Sequence, residues 1–266
     1  MKADRSNTVL MTEGSIGRKL FLFAMPLVLG NLLQQLYNTA DSVIVGNFVG
    51  SNALAAVGSS TPIINLLIAF SQGAAVGAGV VISHYLGAED EKNTQQAVHT
   101  AIAIILILGA VLTAAGILLS RSLLTLMKTP DEVMADSVTY LQIYFGGVIF
   151  NALYNMAAGI LNAAGNSRRS LLYLACASVT NIVLDLILVK SLDMGVAGAA
   201  IATDASQLVS CVLAMGFLMR VNADYRVRPG SIRINGRMAG RIIKIGLPAG
   251  IQNMVVSFSN AVVQSS

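Results

Sequence analysis

Charged residues are scarce in this sequence: Asp, Glu, Lys and Arg make up 11% of its 266 residues, against about 25% in an ordinary soluble domain. Hydrophobic residues account for 55% of the chain. This composition excludes a soluble globular protein, and it also excludes intrinsic disorder, which requires low hydrophobicity. The 24 glycines and 5 prolines follow no collagen-like period. The composition leaves a protein with several membrane-spanning helices.

Cysteine and histidine are also rare, with two residues of each. Cys176 and Cys211 lie in apolar runs, so they belong neither to a secreted disulfide framework nor to a CxxC metal-binding motif. We expect both to be buried and reduced. His84 and His99 flank a polar loop, and we interpret each as a solvated interface residue. The sequence therefore predicts no cofactor and no metal site built from histidine.

Long apolar runs recur along the chain. The hydrocarbon core of a bilayer is about 30 Å thick, so a spanning helix needs roughly 20 mostly apolar residues. Six complete runs reach this length, and a seventh begins near Arg241 and continues to Ser266. The predicted spans are 20–49, 53–86, 94–119, 134–161, 170–189 and 196–219.

Basic residues are distributed unevenly between the two sides of these spans. Fourteen of the 17 Lys and Arg residues lie on the side of the N-terminus, and only Arg121, Lys128 and Lys190 lie on the other. Because loops rich in Lys and Arg stay in the cytoplasm, we expect a cytoplasmic N-terminus. We interpret the basic residues as topology signals and predict no nucleic-acid partner. A role for the linker between spans six and seven in binding lipid headgroups or nucleic acid is the minor alternative.

The seventh run is similar to the first. A shift of 222 residues aligns Gly14 with Gly236, Lys19 with Arg241, Pro26 with Pro248, Asn31 with Asn253, and Asn38 with Asn260. The match is incomplete, because the position that corresponds to Asp41 is Val263. Two such units would give a protein of about 444 residues with six spans in each half, in parallel repeats.

The repeat predicts that the chain is one lobe of a two-lobe protein, followed by a short part of the second lobe. The polar N-terminal segment precedes a run too long for a signal peptide, so we expect it to be retained. The predicted segments are a cytoplasmic tail over 1–17, a six-helix lobe over 18–220, a basic cytoplasmic linker over 221–240 and a truncated first helix of the second lobe over 241–266.

Three carboxylates, Asp41, Asp185 and Asp204, lie inside the predicted spans. Ionisable groups at membrane depth are costly, and by default they mark an ion or substrate pathway. At a rise of about 1.5 Å per residue, all three lie in or near the outer half of the bilayer, where they could share a site. Asp204 points about 100° away from its neighbour Thr203, so we treat it as a secondary candidate.

Polar side chains also recur three or four residues apart, the spacing that places them on one helix face. The sets are Gln34, Asn38 and Asp41 flanked by Tyr37, then Asn151 with Asn155, Asn181 with Asp185, and Thr203 with Gln207. Together they predict a polar cavity whose oxygen ligands suit a proton or a hard cation such as Na⁺. The alternative for each amide, and for Thr203, is a hydrogen bond between neighbouring helices. Pro26 lies inside the first span, where the loss of a helix hydrogen bond allows a hinge.

Four short motifs stand out: Ala40-Asp41-Ser42-Val43-Ile44-Val45-Gly46, Leu54-Ala55-Ala56, Gly87-Ala88-Glu89-Asp90 and Asn181-Ile182-Val183-Leu184-Asp185. With the repeat, they resemble the multidrug and toxic compound extrusion (MATE) family over the whole chain. The resemblance implies an all-α integral membrane antiporter with twelve helices in two six-helix lobes. Such a protein exports cationic or amphipathic organic compounds in exchange for H⁺ or Na⁺.

The resemblance also implies residue roles. It assigns the coupling ion, including Na⁺ if that is the ion, to Asp41, Asn181, Asp185 and Thr203. It assigns Gln34, Tyr37 and Asn155 to the substrate cavity and Pro26 to a bending helix. The polar sets described above add Asn38, Asn151 and Gln207 to the predicted cavity.

Three other functions are compatible with a many-helix chain. A lipid or oligosaccharide flippase has a related two-lobe architecture, but an anionic lipid-linked substrate would favour basic residues deep in the spans, and no complete span has one. An intramembrane aspartyl protease needs a Gly-x-Gly-Asp element, which none of the three carboxylates has, so we predict no enzyme. A half-length protein could also pair with a separate lobe, which an end inside a span disfavours.

We therefore predict small organic cations, the lipid bilayer and the missing C-terminal lobe as partners. The predicted location is the plasma membrane of a bacterium or archaeon.

Overall fold

The structure, a computed structural model, describes residues 16–265, so almost all of the predicted tail over 1–17 lies outside the described residues. All of the regular secondary structure in the described residues is helical. Its long helices are α1 (Ile16–Phe48), α2 (Ser51–Gly87), α3 (Glu91–Leu126), α4 (Asp131–Ala163), α5 (Ser167–Asp185), α6 (Gly195–Arg220) and α7 (Gly236–Ser265). A π-helix (Leu186–Ser191) continues α5, and a short 3-10 helix (Pro229–Ser231) lies between α6 and α7.

Helices α1 to α6, with α5 extended by its π-helix, are long and apolar enough to cross a membrane. Each coincides with one predicted span to within seven residues at either end. The predicted all-α membrane fold with six spans and a further helix is therefore confirmed. The seventh helix begins at Gly236, five residues before the predicted start near Arg241. Asn235 sets this start, because its Oδ1 accepts the backbone N–H groups of Arg237 and Met238 and caps α7.

A polar residue caps the start of α3. Asp90 caps α3 by accepting the backbone N–H of Asn93 at 3.1 Å, and Glu91 adds a negative charge to the positive end of the helix dipole. The hydrogen bonds from Asn93 hold the pKa of Asp90 below its usual value. Helix α3 therefore begins at a signal that the sequence carries locally.

Short connections make successive helices antiparallel. Residues 88–90, 164–166 and 221–235 connect helices at one end of the bundle, which we call the linker side. Residues 49–50, 127–130 and 192–194 connect them at the far side. Helix α4 packs against α2, α3 and α6, whereas α1 packs mainly against α5.

Two buried apolar clusters stabilise the bundle, one toward each side. The linker-side cluster includes Ile102, Met156 and Leu218, and the far-side cluster includes Val45 and Phe145. A polar layer separates the two clusters. On α4, Asn151 lies between Val148 and Ala152. On α5, residues 181–185 lie between Leu174 and Val189, and on α6, residues 203–207 lie between Ala200 and Cys211. Most of the predicted site residues therefore share one depth in the bundle.

Helix α7 packs against α2 through the backbones of glycines on both helices. A Cβ atom added to Gly73 would lie 2.6 Å from the carbonyl oxygen of Gly246, and one added to Gly77 would overlap the carbonyl oxygen of Ile242. Glycines four residues apart on a membrane helix permit this close approach. The seventh helix is thereby held against the first lobe.

Candidate functional site

Asp41 of α1 and Asp185 at the end of α5 face each other inside the bundle. Their carboxyl groups interact electrostatically, and the side chains are 8% and 0% exposed. The packing of α1 against α5 brings them together. Two carboxylates at this distance repel each other unless a proton or a cation lies between them.

Polar atoms without partners are concentrated around this pair. Among the described residues, nine buried side-chain nitrogen and oxygen atoms lack a hydrogen bond, and six of them belong to Asp41, Asn181, Asp185 and Gln207. Buried polar atoms are normally paired, so such a concentration calls for a specific cause. Four carboxylate and amide oxygens of Asp41, Asn181 and Asp185 are included, and this donor set fits a proton or a hard cation such as Na⁺.

Asn181 and Thr203 lie in the same layer as the carboxylate pair. Asn181 is one helical turn before Asp185 and is 1% exposed, so both residues lie on the same face of α5. Thr203 is buried on α6, one turn before Gln207. The structure thus places all four predicted ion-coupling residues at buried positions.

The backbone of α5 changes from α to π directly after Asp185. Single π turns are rare and are found mostly at functional sites. The change therefore directly follows the residue whose carboxyl group interacts with Asp41 of α1. The sequence contains no local signal for it, since the residues 186–191 are mostly aliphatic.

Sequence reasoning missed one tyrosine that interacts with the pair and a second that stacks on the first. Tyr140 and Tyr144 on α4 are buried, and their rings stack with centroids 6.4 Å apart. Tyr140 interacts electrostatically with Asp41 and Asp185. Their spacing of four residues in an apolar span was the signal that could have identified them.

Only part of the predicted polar face of α1 is buried. Tyr37 is buried with Asp41 and makes side-chain hydrogen bonds with Gln34 and Gln207, which joins α1 to α6. Asn38 is exposed and Gln34 is half-buried, so of this set only Tyr37 and Asp41 are buried, and the assignment of Asn38 to the substrate cavity stays a prediction. The larger Tyr37 occupies the buried face in its place.

Asn151 and Asn155 form a local pair on α4. Asn155 Nδ2 donates to Asn151 Oδ1 at 2.8 Å, and Asn151 is 6% exposed. The pair lies on one face, as the spacing predicts. Its hydrogen bond is within one helix, so it does not require a neighbouring helix.

Asp204 lies apart from the carboxylate pair, at the contact between α4 and α6. Its carboxyl group accepts a hydrogen bond from the backbone of Gly147, and a Cβ atom at Gly147 would overlap it. It also interacts electrostatically with Tyr144. The Asp204 side chain of α6 therefore fits against the backbone of Gly147 on α4, in a space that we call the notch.

Pro26 is buried in α1, which remains helical on both sides of it. Ser167 Oγ donates to the carbonyl oxygen of Phe23, three residues before the proline, at 3.1 Å. Pro26 removes the helix hydrogen bond to the carbonyl oxygen of Leu22, and Ser167 contacts the next carbonyl along the chain. The contact ties the proline-containing turn of α1 to the start of α5.

The interpretation of His99 as a solvated residue is wrong. His99 is 5% exposed; its Nε2 accepts the backbone N–H of Arg228 at 3.0 Å, and its Nδ1 lies 2.7 Å from the carbonyl oxygen of Gln95. The linker covers it, and no sequence pattern showed that contact. Cys211 is buried as predicted, but Cys176 is exposed on α5. Among residues 16–265, no group of three or more His, Cys, Asp or Glu side chains could hold a metal ion.

Comparison with known proteins gives consistent similarities. The MatE family model matches residues 26–187. YpnP, a probable multidrug resistance protein of Bacillus subtilis (strain 168), is 33% identical over 92% of this chain and 55% of its own length. MepA, a multidrug export protein of Staphylococcus aureus (strain MRSA252), is 25% identical over 91% of this chain and 53% of its own length. A crystal structure of MATE in the bent conformation has a TM-score of 0.87 at 27% identity, over 95% of this chain and 56% of that one.

The chain therefore spans about half the length of the curated relatives it matches.

Proposed function

The chain belongs to the MatE family, and on that premise we propose that it supplies the N-terminal lobe of a cation-coupled antiporter. Its relatives are transporters rather than enzymes. The whole protein would export cationic or amphipathic organic compounds in exchange for H⁺ or Na⁺. Residues 18–220 would form the first lobe, residues 221–240 the linker and residues 241–266 the start of the second lobe.

The contact between Asp41 and Asp185 is the observation that carries this proposal. Both carboxyl groups are buried and lack neutral hydrogen-bond donors that would stabilise two negative charges. One proton or one Na⁺ between them removes their repulsion and satisfies their free oxygens. Asn181 and Thr203 add an amide and a hydroxyl at the same depth. The site can therefore alternate between a charged and a neutralised form.

Coupling follows from the charge of this site. An organic cation is retained more strongly beside the charged pair than beside the neutralised one, so ion binding weakens retention of the cation. Tyr37 connects the pair to Gln34 and Gln207, so a change at Asp41 can reach the neighbouring cavity residues. Asn38, Asn151 and Asn155 would supply further polar contacts for the exported compound.

The transport cycle would be alternating access, with two lobes rocking about a central cavity. An ion shifts this equilibrium only by its difference in affinity for the two states. Pro26 would be the hinge of α1, because its turn lacks one helix hydrogen bond. The contact from Ser167 to Phe23 would then be one of those that change as α1 bends.

We also propose that the linker side faces the cytoplasm of a bacterium or archaeon. Fourteen of the 17 Lys and Arg residues lie toward that side in sequence, which favours cytoplasmic retention of the N-terminus. The far side, with Arg121, Lys128 and Lys190, would face outward.

Transport by the complete two-lobe protein in proteoliposomes tests this function. A pH or Na⁺ gradient should drive movement of a fluorescent organic cation. Asp41→Asn should abolish this movement, because an amide carries no negative charge for the ion to neutralise. The matched control Asp136→Asn changes an exposed carboxylate on the far side of α4 and should transport normally. Movement that survives Asp41→Asn would refute the ion site, and no movement under either gradient would favour a flippase.

A further inference from the structure

The linker between α6 and α7 is folded onto the linker-side end of α3. Tyr225 and Val227 are 0% and 1% exposed, so the linker has a buried core of its own. Its backbone is held by side chains of α3: Gln95 Nε2 donates to Asp224 O (2.8 Å), His99 Nε2 accepts from Arg228 N (3.0 Å), and Thr100 Oγ1 donates to Arg233 O (3.3 Å). Because backbone groups make these contacts, the side chains of Arg228 and Arg233 remain exposed.

A cavity of about 480 Å³ lies between α3 and this linker, a size typical of small-ligand sites. Its lining residues include Arg228, Arg233, Ser231 and Glu91. Arginine binds phosphate oxygens through paired N–H donors. Glu91 would repel a simple anion, so the set fits a molecule that carries a phosphate and an amine together.

The cavity lies beside the first turns of α3, and exposed apolar residues follow farther along this helix. Ile107, Val111 and Leu118 of that helix are 54%, 57% and 79% exposed, as expected for an apolar stripe in contact with lipid. Thr100, which lines the cavity, precedes Ile107 by seven residues, which places it about 10 Å away along the axis and within about 20° of the same face. The cavity therefore lies directly below the lipid-facing stripe.

This depth corresponds to the headgroup layer. The 36 residues of α3 are about 54 Å long, well beyond the roughly 30 Å hydrocarbon core, so its polar first turns project past the hydrocarbon. Ile234 also lines the cavity and is 54% exposed. An apolar side chain beside two arginines is suited to the boundary between headgroups and acyl chains.

We propose that this cavity binds the headgroup of a phospholipid that carries an amine, with its phosphate on Arg228 and Arg233 and its amine on Glu91. Phosphatidylethanolamine has this chemistry. The bound lipid would hold the linker against α3. The proposal does not depend on antiport, because it concerns only the surface formed by α3 and the linker.

Native mass spectrometry of the purified chain, titrated with phosphatidylethanolamine or phosphatidylglycerol, tests the site without a transport assay. Arg228→Gln and Arg233→Gln should each weaken phosphatidylethanolamine binding about fivefold, the contribution of one basic residue near a membrane surface. Arg237→Gln removes the same charge from an exposed residue outside the cavity lining and should leave binding unchanged. Glu91→Gln should remove the preference for phosphatidylethanolamine over phosphatidylglycerol.

Three results would overturn the proposal. Equal losses in Arg233→Gln and Arg237→Gln would show a general attraction to charge rather than a site. An unchanged lipid preference in Glu91→Gln would remove the amine contact. Displacement of the lipid by inorganic phosphate or glycerophosphoethanolamine at equal concentration would show that the site takes a soluble phosphate compound instead.

Discussion

The three carboxyl groups inside the spans have two kinds of environment. Asp41 and Asp185 contact each other and leave oxygens unpaired, whereas Asp204 is hydrogen-bonded to the backbone of Gly147. Sequence reasoning identified all three, because charge at membrane depth is rare. It did not distinguish their environments, since the partner of each carboxyl group lies on another helix. The exposure of Asn38 was not predictable for the same reason: residue spacing does not tell which face a neighbouring helix covers.

The notch at Gly147 makes a prediction at the scale of one residue. In Gly147→Ala the added methyl group would overlap the Asp204 carboxyl group, and such overpacking costs about 1–3 kcal/mol. The apparent melting temperature of the purified chain should fall by roughly 2–4 °C per kcal/mol. The neighbouring Gly146 has no atom within 4 Å of an added Cβ, so Gly146→Ala should not destabilise the chain. Equal melting temperatures for the two variants would contradict the notch.

At the scale of helices, the predicted spans were accurate because apolar length is a direct requirement of the bilayer. The π-helix after Asp185 was not predictable, since an aliphatic segment such as residues 186–191 is compatible with either helix type. The contacts of α7 with α2 were also not predictable from hydropathy, although Gly73 and Gly77 were recognisable as small residues. Hydropathy measures how apolar a helix is, and it carries no information about its neighbours.

The α2–α7 contact predicts a difference between two glycines of the same helix. Gly77→Ala would force a methyl group against the carbonyl oxygen of Ile242 and loosen α7, together with the linker that precedes it. Trypsin should then cleave the arginine-rich linker about tenfold faster, the factor that corresponds to roughly 1.4 kcal/mol. Gly58→Ala places its methyl group where no atom lies within 4 Å and should leave the rate unchanged. Equal cleavage rates in the two variants would contradict a close contact at Gly77.

At the scale of the whole molecule, the composition and the apolar runs were sufficient to predict an all-α chain with six spans, whereas the second lobe that the internal repeat indicates stays a prediction. The repeat is visible because Pro26 and Pro248 and three aligned pairs of Gly and Asn residues stand out in apolar runs. The folding of the linker onto α3 was not visible, because it depends on backbone contacts such as the one between His99 and Arg228. The linker is therefore folded against α3.

Ion release on drug binding to the complete two-lobe protein is the most direct test of the central claim, that Asp41 and Asp185 together hold the coupling ion. In weakly buffered detergent solution, an organic cation should displace about one H⁺ or Na⁺ per protein, measured with a pH indicator or a Na⁺-selective electrode. Asp41→Asn and Asp185→Asn should each abolish the release, because the ion requires both carboxyl groups. Asp136→Asn should release the ion normally, and release that persists in both Asp41→Asn and Asp185→Asn would contradict the account.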